Sequence, residues 1–175
     1  MSADQKLYDT LFLDRDGVIN KKIDYGYVLK IDDIEILKGV PDFLLKIKSS
    51  FRRIVIVTNQ RCVGRKLISI STLEVINTKI NSLTGNYIDR FYVCPHLSEE
   101  NCNCRKPKIG LFLQALRDYP IDFENSWMVG DSETDLIPAK QLGIKSVFIS
   151  KSSSVYADIT VPSIVNLLTV FDKQS

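Results

Sequence analysis

Short apolar runs at 11–13, 54–57, 91–93, 127–129 and 147–149 alternate along this chain with longer stretches of helical periodicity. Runs this brief, several of them β-branched, suit strands buried on both faces. Between them, Val40, Phe43, Leu44 and Ile47 share one helix face behind Gly39 and Pro41. Leu73, Ile76, Ile80 and Leu83 share another behind Ser69 or Ser71. Leu111, Ala115 and Leu116, then Ala139 and Leu142 ahead of Gly143, outline two more. The alternation predicts an α/β fold: a single doubly wound, mostly parallel sheet with helices on both faces and right-handed crossovers. In such a fold the functional crevice lies at the carboxyl ends of the strands.

The 175 residues suffice for one domain spanning 1–175 and are short for two. Apolar residues at 45% and charged residues at 25% are globular proportions. A net charge of +2 predicts no nucleic-acid partner. No apolar run approaches a membrane span, and MSADQKLYD lacks the pattern of a signal peptide, so the chain reads as cytoplasmic with no membrane partner. We expect a monomer. The tail DKQS is expected to fray, KSSSVY at 151–156 to be a polar loop, and the aperiodic 20–38 segment to cover a site.

The run LFLDRDG places Asp14 and Asp16 just past an apolar strand, on one side of it, with Arg15 pointing elsewhere and Gly17 permitting a turn. Carboxylates grouped there need a cation. Further acids arrive in MVGDSETD, where Gly130 and Asp131 end a second strand and Asp135 follows one helical turn later. Two strand ends delivering carboxylates to one rim suit Mg2+, a hard ion that keeps waters and leaves room for a phosphate oxygen. A third strand ends in Thr58, Asn59 and Gln60, all able to donate to an anion, and CRKPK supplies Lys106.

Taken in order, DRDG at 14–17, TNQ at 58–60, KP at 106–107 and GD at 130–131 with Asp135 resemble the four signature motifs of the haloacid dehalogenase-like phosphohydrolases. The resemblance runs from about residue 11 to 149. It implies that Asp14 attacks phosphorus to form an aspartyl phosphate and that Asp16 acts as acid and then base, its pKa above that of Asp14 in the first step. It further implies magnesium on Asp14, the backbone carbonyl of Asp16 and Asp131, charge neutralisation by Thr58 and Lys106, and Asp135 positioning Lys106. No insertion is large enough to form a cap domain.

A second metal is indicated by VCPHLSEENCNCRK. Cys94, His96, Cys102 and Cys104 are a complete tetrahedral set for Zn2+ with no open position, which predicts a structural, zinc-stabilised loop over about 94–106 that aims Arg105 and Lys106. Cys62 reads as an ordinary thiol. This loop before RKP resembles those of two subfamilies, the D-glycero-D-manno-heptose 1,7-bisphosphate 7-phosphatases and the histidinol-phosphatases. The DYGYV entry segment at 24–28 resembles the first and the compact CPHLSEENCNCRKPK loop the second; the entry segment weighs more, so a sugar bisphosphate is the preferred small phosphorylated metabolite. Arg65 and Arg105 are candidates to clamp its second phosphate, Arg61 and Cys62 add bulk beside them, and Asn59, Gln60 and Lys106 complete the expected substrate contacts. The rivals are a polynucleotide 3'-phosphatase and a non-catalytic zinc-stabilised interaction module.

Overall fold

In the computed structural model, which describes residues 7–172, strand β1 (Tyr8–Leu13) lies inside a six-stranded sheet of order β3-β2-β1-β4-β5-β6. The other strands are β2 (Phe51–Asn59), β3 (Arg90–Cys94), β4 (Trp127–Gly130), β5 (Lys145–Ile149) and β6 (Ile159–Val161). Every adjacent pair is parallel. Leu11 pairs with Ile54 on one side and Trp127 on the other, so Leu13 lies level with Val129 near the end of β4, while β2 runs on past Ile56 to Asn59. Residues 1–6, where the signal-peptide expectation falls, and 173–175 of the expected frayed tail lie outside the described residues.

The apolar runs form strands because both of their faces are covered. Leu11 and Leu13 pack on one side with α1 (Val40–Ile47), α3 (Ile70–Leu83) and Phe171 of α6 (Leu168–Asp172). Phe12 packs on the other with Leu111 and Phe112 of α4 (Gly110–Asp118) and Ala139 of α5 (Glu133–Gln141). Alternation along one strand thus serves two cores. Ser69 caps α3 by accepting from the Thr72 N–H, and Gly143, at φ 74°, follows the end of α5 as a C-terminal glycine should. The 151–156 segment is a loop, as expected.

Several short elements were not foreseen, among them α6, β6 and the turn after Gln60. β6 is three residues long at the sheet edge, too short to give a periodic signal. The residues after Gln60 form a single helical turn, α2 (Arg61–Gly64). No insertion forms a large cap, and among the described residues no helix is long and apolar enough to cross a membrane.

One side-chain expectation is corrected. Arg15 does not point away from the two aspartates. The strand ends at Leu13, and the N–H groups of Ile19 and Asn20 both bond back to the Arg15 carbonyl, so alternation stops and the chain curls. The Arg15 side chain, fully buried, turns in towards Asp16 and Gln60.

Candidate active site

A cavity of about 620 Å³ opens at the carboxyl ends of β1, β2 and β4. Asp14 and Asp16 reach it from β1, Thr58, Asn59 and Gln60 from β2, and Asp131 and Asp135 from β4 and α5. Lys106 enters from the loop before α4. Lys22, Tyr25 and Tyr27 line it from the 20–38 segment, which therefore covers the site as expected.

Lys106 is the hub of the buried part. Its Nζ donates to Asp14 Oδ1 at 2.8 Å, to Asp135 Oδ1 at 2.6 Å and to the Val57 carbonyl at 2.6 Å. Burial alone would discharge an amine, but the carboxylates of Asp135 and Asp14 outweigh it and hold the Lys106 pKa above its ordinary range. Asp135 is itself fixed by the Ser132 N–H at 3.1 Å and packs against Gly130, where a Cβ would collide with it.

Asp14 and Asp16 have opposite surroundings. Burial pushes the Asp14 carboxyl up to about 6, against the pull of Lys106 and with help from Asp135 and Asp16. Asp16 is also opposed by burial, yet Arg15, Asn20 and Gln60 bring it below the ordinary carboxylate value. Asn20 Nδ2 donates to it at 2.9 Å, Gln60 Nε2 at 2.6 Å and Arg15 Nη2 at 3.1 Å. The expected order, Asp16 above Asp14, is thus inverted in the protein alone. Burial opposes ionisation of both carboxyls; three donors outweigh it at Asp16, whereas Lys106 does not at Asp14, which also faces other acids.

Asn59 and Gln60 also have partners within the protein. The Asn59 amide is committed at both ends to the Lys106 backbone, accepting from its N–H at 3.0 Å and donating to its carbonyl at 3.1 Å. Gln60 Nε2 is shared between Asp16 and Thr58 Oγ1, and its Oε1 accepts from Arg15. These amides line the cavity and also hold Lys106 and Asp16 in place. Buried Thr58 accepts from Gln60 and so keeps its own hydroxyl hydrogen to donate.

The acids fit a magnesium ion. Carboxylate oxygens of Asp14, Asp131 and Asp135 lie within 4.8 Å of one another, an all-oxygen donor set. Asp131 Oδ1 is buried with no partner, and a Cβ at Gly17 (φ 94°) would collide with the Asp131 carboxylate, so the turn after β1 leaves space only for it. Burial and Asp14 raise the Asp131 pKa, as expected of carboxylates grouped without a counter-cation. Lys22, not singled out from the sequence, donates to Asp131 Oδ2 at 3.1 Å.

The thiol cluster fits zinc. Cys94 Sγ lies 3.7 Å from His96 Nδ1 and 3.6 Å from Cys102 Sγ, while Cys104 Sγ lies 3.2 Å from that nitrogen and 3.5 Å from Cys102 Sγ. A tetrahedron with zinc–sulfur bonds near 2.3 Å has edges of roughly 3.8 Å. Cys62 is separate, buried against Gln60, with its thiol pKa raised by burial. Arg61, Arg65 and Arg105 stand on the cavity lining.

Comparison with known proteins agrees with this geometry. Residues 103–163 match the HAD-hydrolase-like family model. The D-glycero-β-D-manno-heptose-1,7-bisphosphate 7-phosphatase of Haemophilus ducreyi is 35% identical over 175 aligned residues, covering 90% of this chain and 95% of that protein. The Helicobacter pylori protein of the same name is 38% identical over 140, covering 78% and 80%. A solved D,D-heptose 1,7-bisphosphate phosphatase from B. bronchiseptica, complexed with magnesium and phosphate, shares the fold with a TM-score of 0.85 at 24% identity, over 95% of this chain and 99% of that one. With the motif residues gathered in one cavity and relatives matched along nearly their whole length, the chain belongs to the heptose-1,7-bisphosphate 7-phosphatase family of haloacid dehalogenase-like hydrolases.

Proposed function

We propose that this single-domain chain is a phosphoric monoester hydrolase that removes the 7-phosphate of D-glycero-D-manno-heptose 1,7-bisphosphate. The observation that carries the chemistry is Lys106 held between Asp14 and Asp135 beside Asp131. The substrate is that named for the relatives. Mg2+, held by Asp14, Asp131 and the Asp16 carbonyl, would supply charge that lets a carboxylate and a phosphate approach.

Asp14 attacks phosphorus, forming the P–O bond of an aspartyl phosphate as the sugar oxygen departs, and water then attacks phosphorus and cleaves that acyl phosphate, releasing inorganic phosphate and the free carboxylate. Asp16 gives a proton to the departing oxygen and takes one from the water. Its three donors keep it ionised in the protein alone, and the negative charge of an arriving phosphate raises it towards the acid role. Lys106 and Thr58 neutralise phosphoryl oxygens, and Asp135 orients Lys106. Gly130 makes room for Asp135, while Arg105 and Arg65 face the phosphate that the sugar keeps. The set Cys94, His96, Cys102 and Cys104 holds structural Zn2+, which braces the segment carrying Arg105 and Lys106.

Steady-state release of phosphate from the heptose bisphosphate, with histidinol phosphate and a 3'-phosphorylated oligonucleotide alongside, tests the reading. Asp14→Asn should cut kcat by about 10⁶-fold, as loss of a nucleophile does. Turnover of histidinol phosphate in preference to the heptose would reject the substrate, and an active Asp14→Asn protein would reject the covalent route.

A further inference from the structure

Most cations of this cavity already have acids. Arg15 pairs with Asp16, Lys106 with Asp14 and Asp135, and Lys22 with Asp131. Arg61, Arg65 and Arg105 line the same cavity, and among the described residues none of them has an acidic partner. Arg105 Nη1 is buried with no hydrogen-bond partner at all. An acidic floor is thus bordered by three guanidinium groups that form no ion pair among the described residues.

Two of them converge on one ring. The Arg61 and Arg65 guanidinium carbons lie 5.9 and 5.7 Å from the centroid of Tyr27. Arg61 Nε also donates to the Tyr27 hydroxyl at 2.6 Å. This bond uses one of the five N–H groups of a guanidinium and fixes its plane, so the two terminal nitrogens remain as a fork for an oxyanion. The ring face favours each cation, but two like charges beside one ring repel until an anion joins them.

We propose that Arg61, oriented by Tyr27, is a specificity-determining residue that binds the phosphate the substrate retains and so selects doubly phosphorylated sugars over monophosphates. The inference rests on the reading of the chain as a sugar bisphosphate phosphatase and extends it to a residue outside the catalytic motifs. A purely structural role is the alternative, because Tyr27 belongs to the 20–38 segment and Arg61 opens α2, so their bond also ties that segment across the cavity. A strap of that kind would affect every substrate alike.

The test compares D-glycero-D-manno-heptose 1,7-bisphosphate with the 7-phosphate, using the magnesium-loaded full chain. Arg61→Met is expected to lower kcat/KM for the bisphosphate about 10- to 100-fold, mainly through KM, and to change the monophosphate by less than about twofold. Arg61→Lys should recover only part of the loss, lacking the fork, and Tyr27→Phe should fall between wild type and Arg61→Met. Equal losses on both sugars, or none on the bisphosphate, would overturn the proposal. Competition against p-nitrophenyl phosphate separates this from a wrong choice of sugar. If that ester is hydrolysed and the heptose is not, the substrate reading fails, and Arg61 is judged on inhibition by fructose 1,6-bisphosphate and fructose 6-phosphate. The bisphosphate must then inhibit wild type more strongly than the monophosphate, and that preference must shrink about 10-fold or more in Arg61→Met, where Arg65 and Arg105 remain; equal inhibition of wild type by the two, or an unchanged preference in Arg61→Met, would refute the anion site.

Discussion

Lys106 and Asp14, 92 positions apart in sequence, are joined by a 2.8 Å hydrogen bond inside the protein. Both are buried, and Asp135 at 2.6 Å completes a charged trio of one ammonium and two carboxylates. Removing the cation would leave two buried acids facing each other. Lys106→Met is therefore expected to cost about 3–5 kcal/mol in magnesium-free urea unfolding, and to abolish phosphate release. Unchanged stability would show that the trio does not hold the strand ends together.

The pH dependence of stability follows from Asp14. Its carboxyl is raised to about 6 from the ordinary 3.8. Between those values the folded protein binds a proton that the unfolded chain has released, so stability falls as pH rises and levels off above about 6. The shift corresponds to about 3 kcal/mol. Asp16 is lowered and acts in the opposite sense, but above about pH 5 it is ionised in both states. We expect a lower Tm for magnesium-free protein at pH 7.5 than at pH 5, and a flatter profile in Asp14→Asn. Identical slopes for the two proteins would contradict this account.

Lys22 donates to Asp131 from the covering segment and is exposed on its other side. An ammonium held there competes with a divalent cation for the same oxygen. Lys22→Met is expected to tighten magnesium binding to the substrate-free protein by about threefold or more, measured by titration calorimetry. A weaker or equal Kd would mean that Lys22 assists the metal instead.

Zinc removal should act on the 94–106 loop before it acts on chemistry. Without a cation, three thiols and an imidazole crowd together at 3.2–3.7 Å with no ion to neutralise their thiolate forms. Chelation, or Cys104→Ser, is expected to lower Tm by about 10 °C or more and to raise protease cutting near 98–101. A Tm unmoved after verified loss of zinc would rule out a structural role.

Much of the architecture is legible along the chain because its causes are local. The runs within the strands that end in Leu13, Asn59 and Gly130 are apolar at successive residues, so that their two faces feed two cores, and the polar and charged residues that follow mark where each strand meets the cavity. Local cues fail where a group's partner is distant. Asn59 looks like a free donor in TNQ, but the Lys106 backbone takes it from the other side of the cavity. Arg15 follows alternation only on paper, since the strand stops one residue before Asp14. β6 is too short to be periodic and exists because Val147 to Ile149 offer it an edge.

By itself the sequence determined the alternating α/β order, the strand ends that carry chemistry, and the Cys94, His96, Cys102 and Cys104 donor set, since periodicity and residue type are properties of neighbours in the chain. Only the tertiary structure decided which acid stands above its ordinary pKa, that Lys22 meets Asp131, and that Arg61 leans on Tyr27. Those outcomes depend on desolvation and on charges a few ångströms apart, and both are set by packing between segments far separated in the chain.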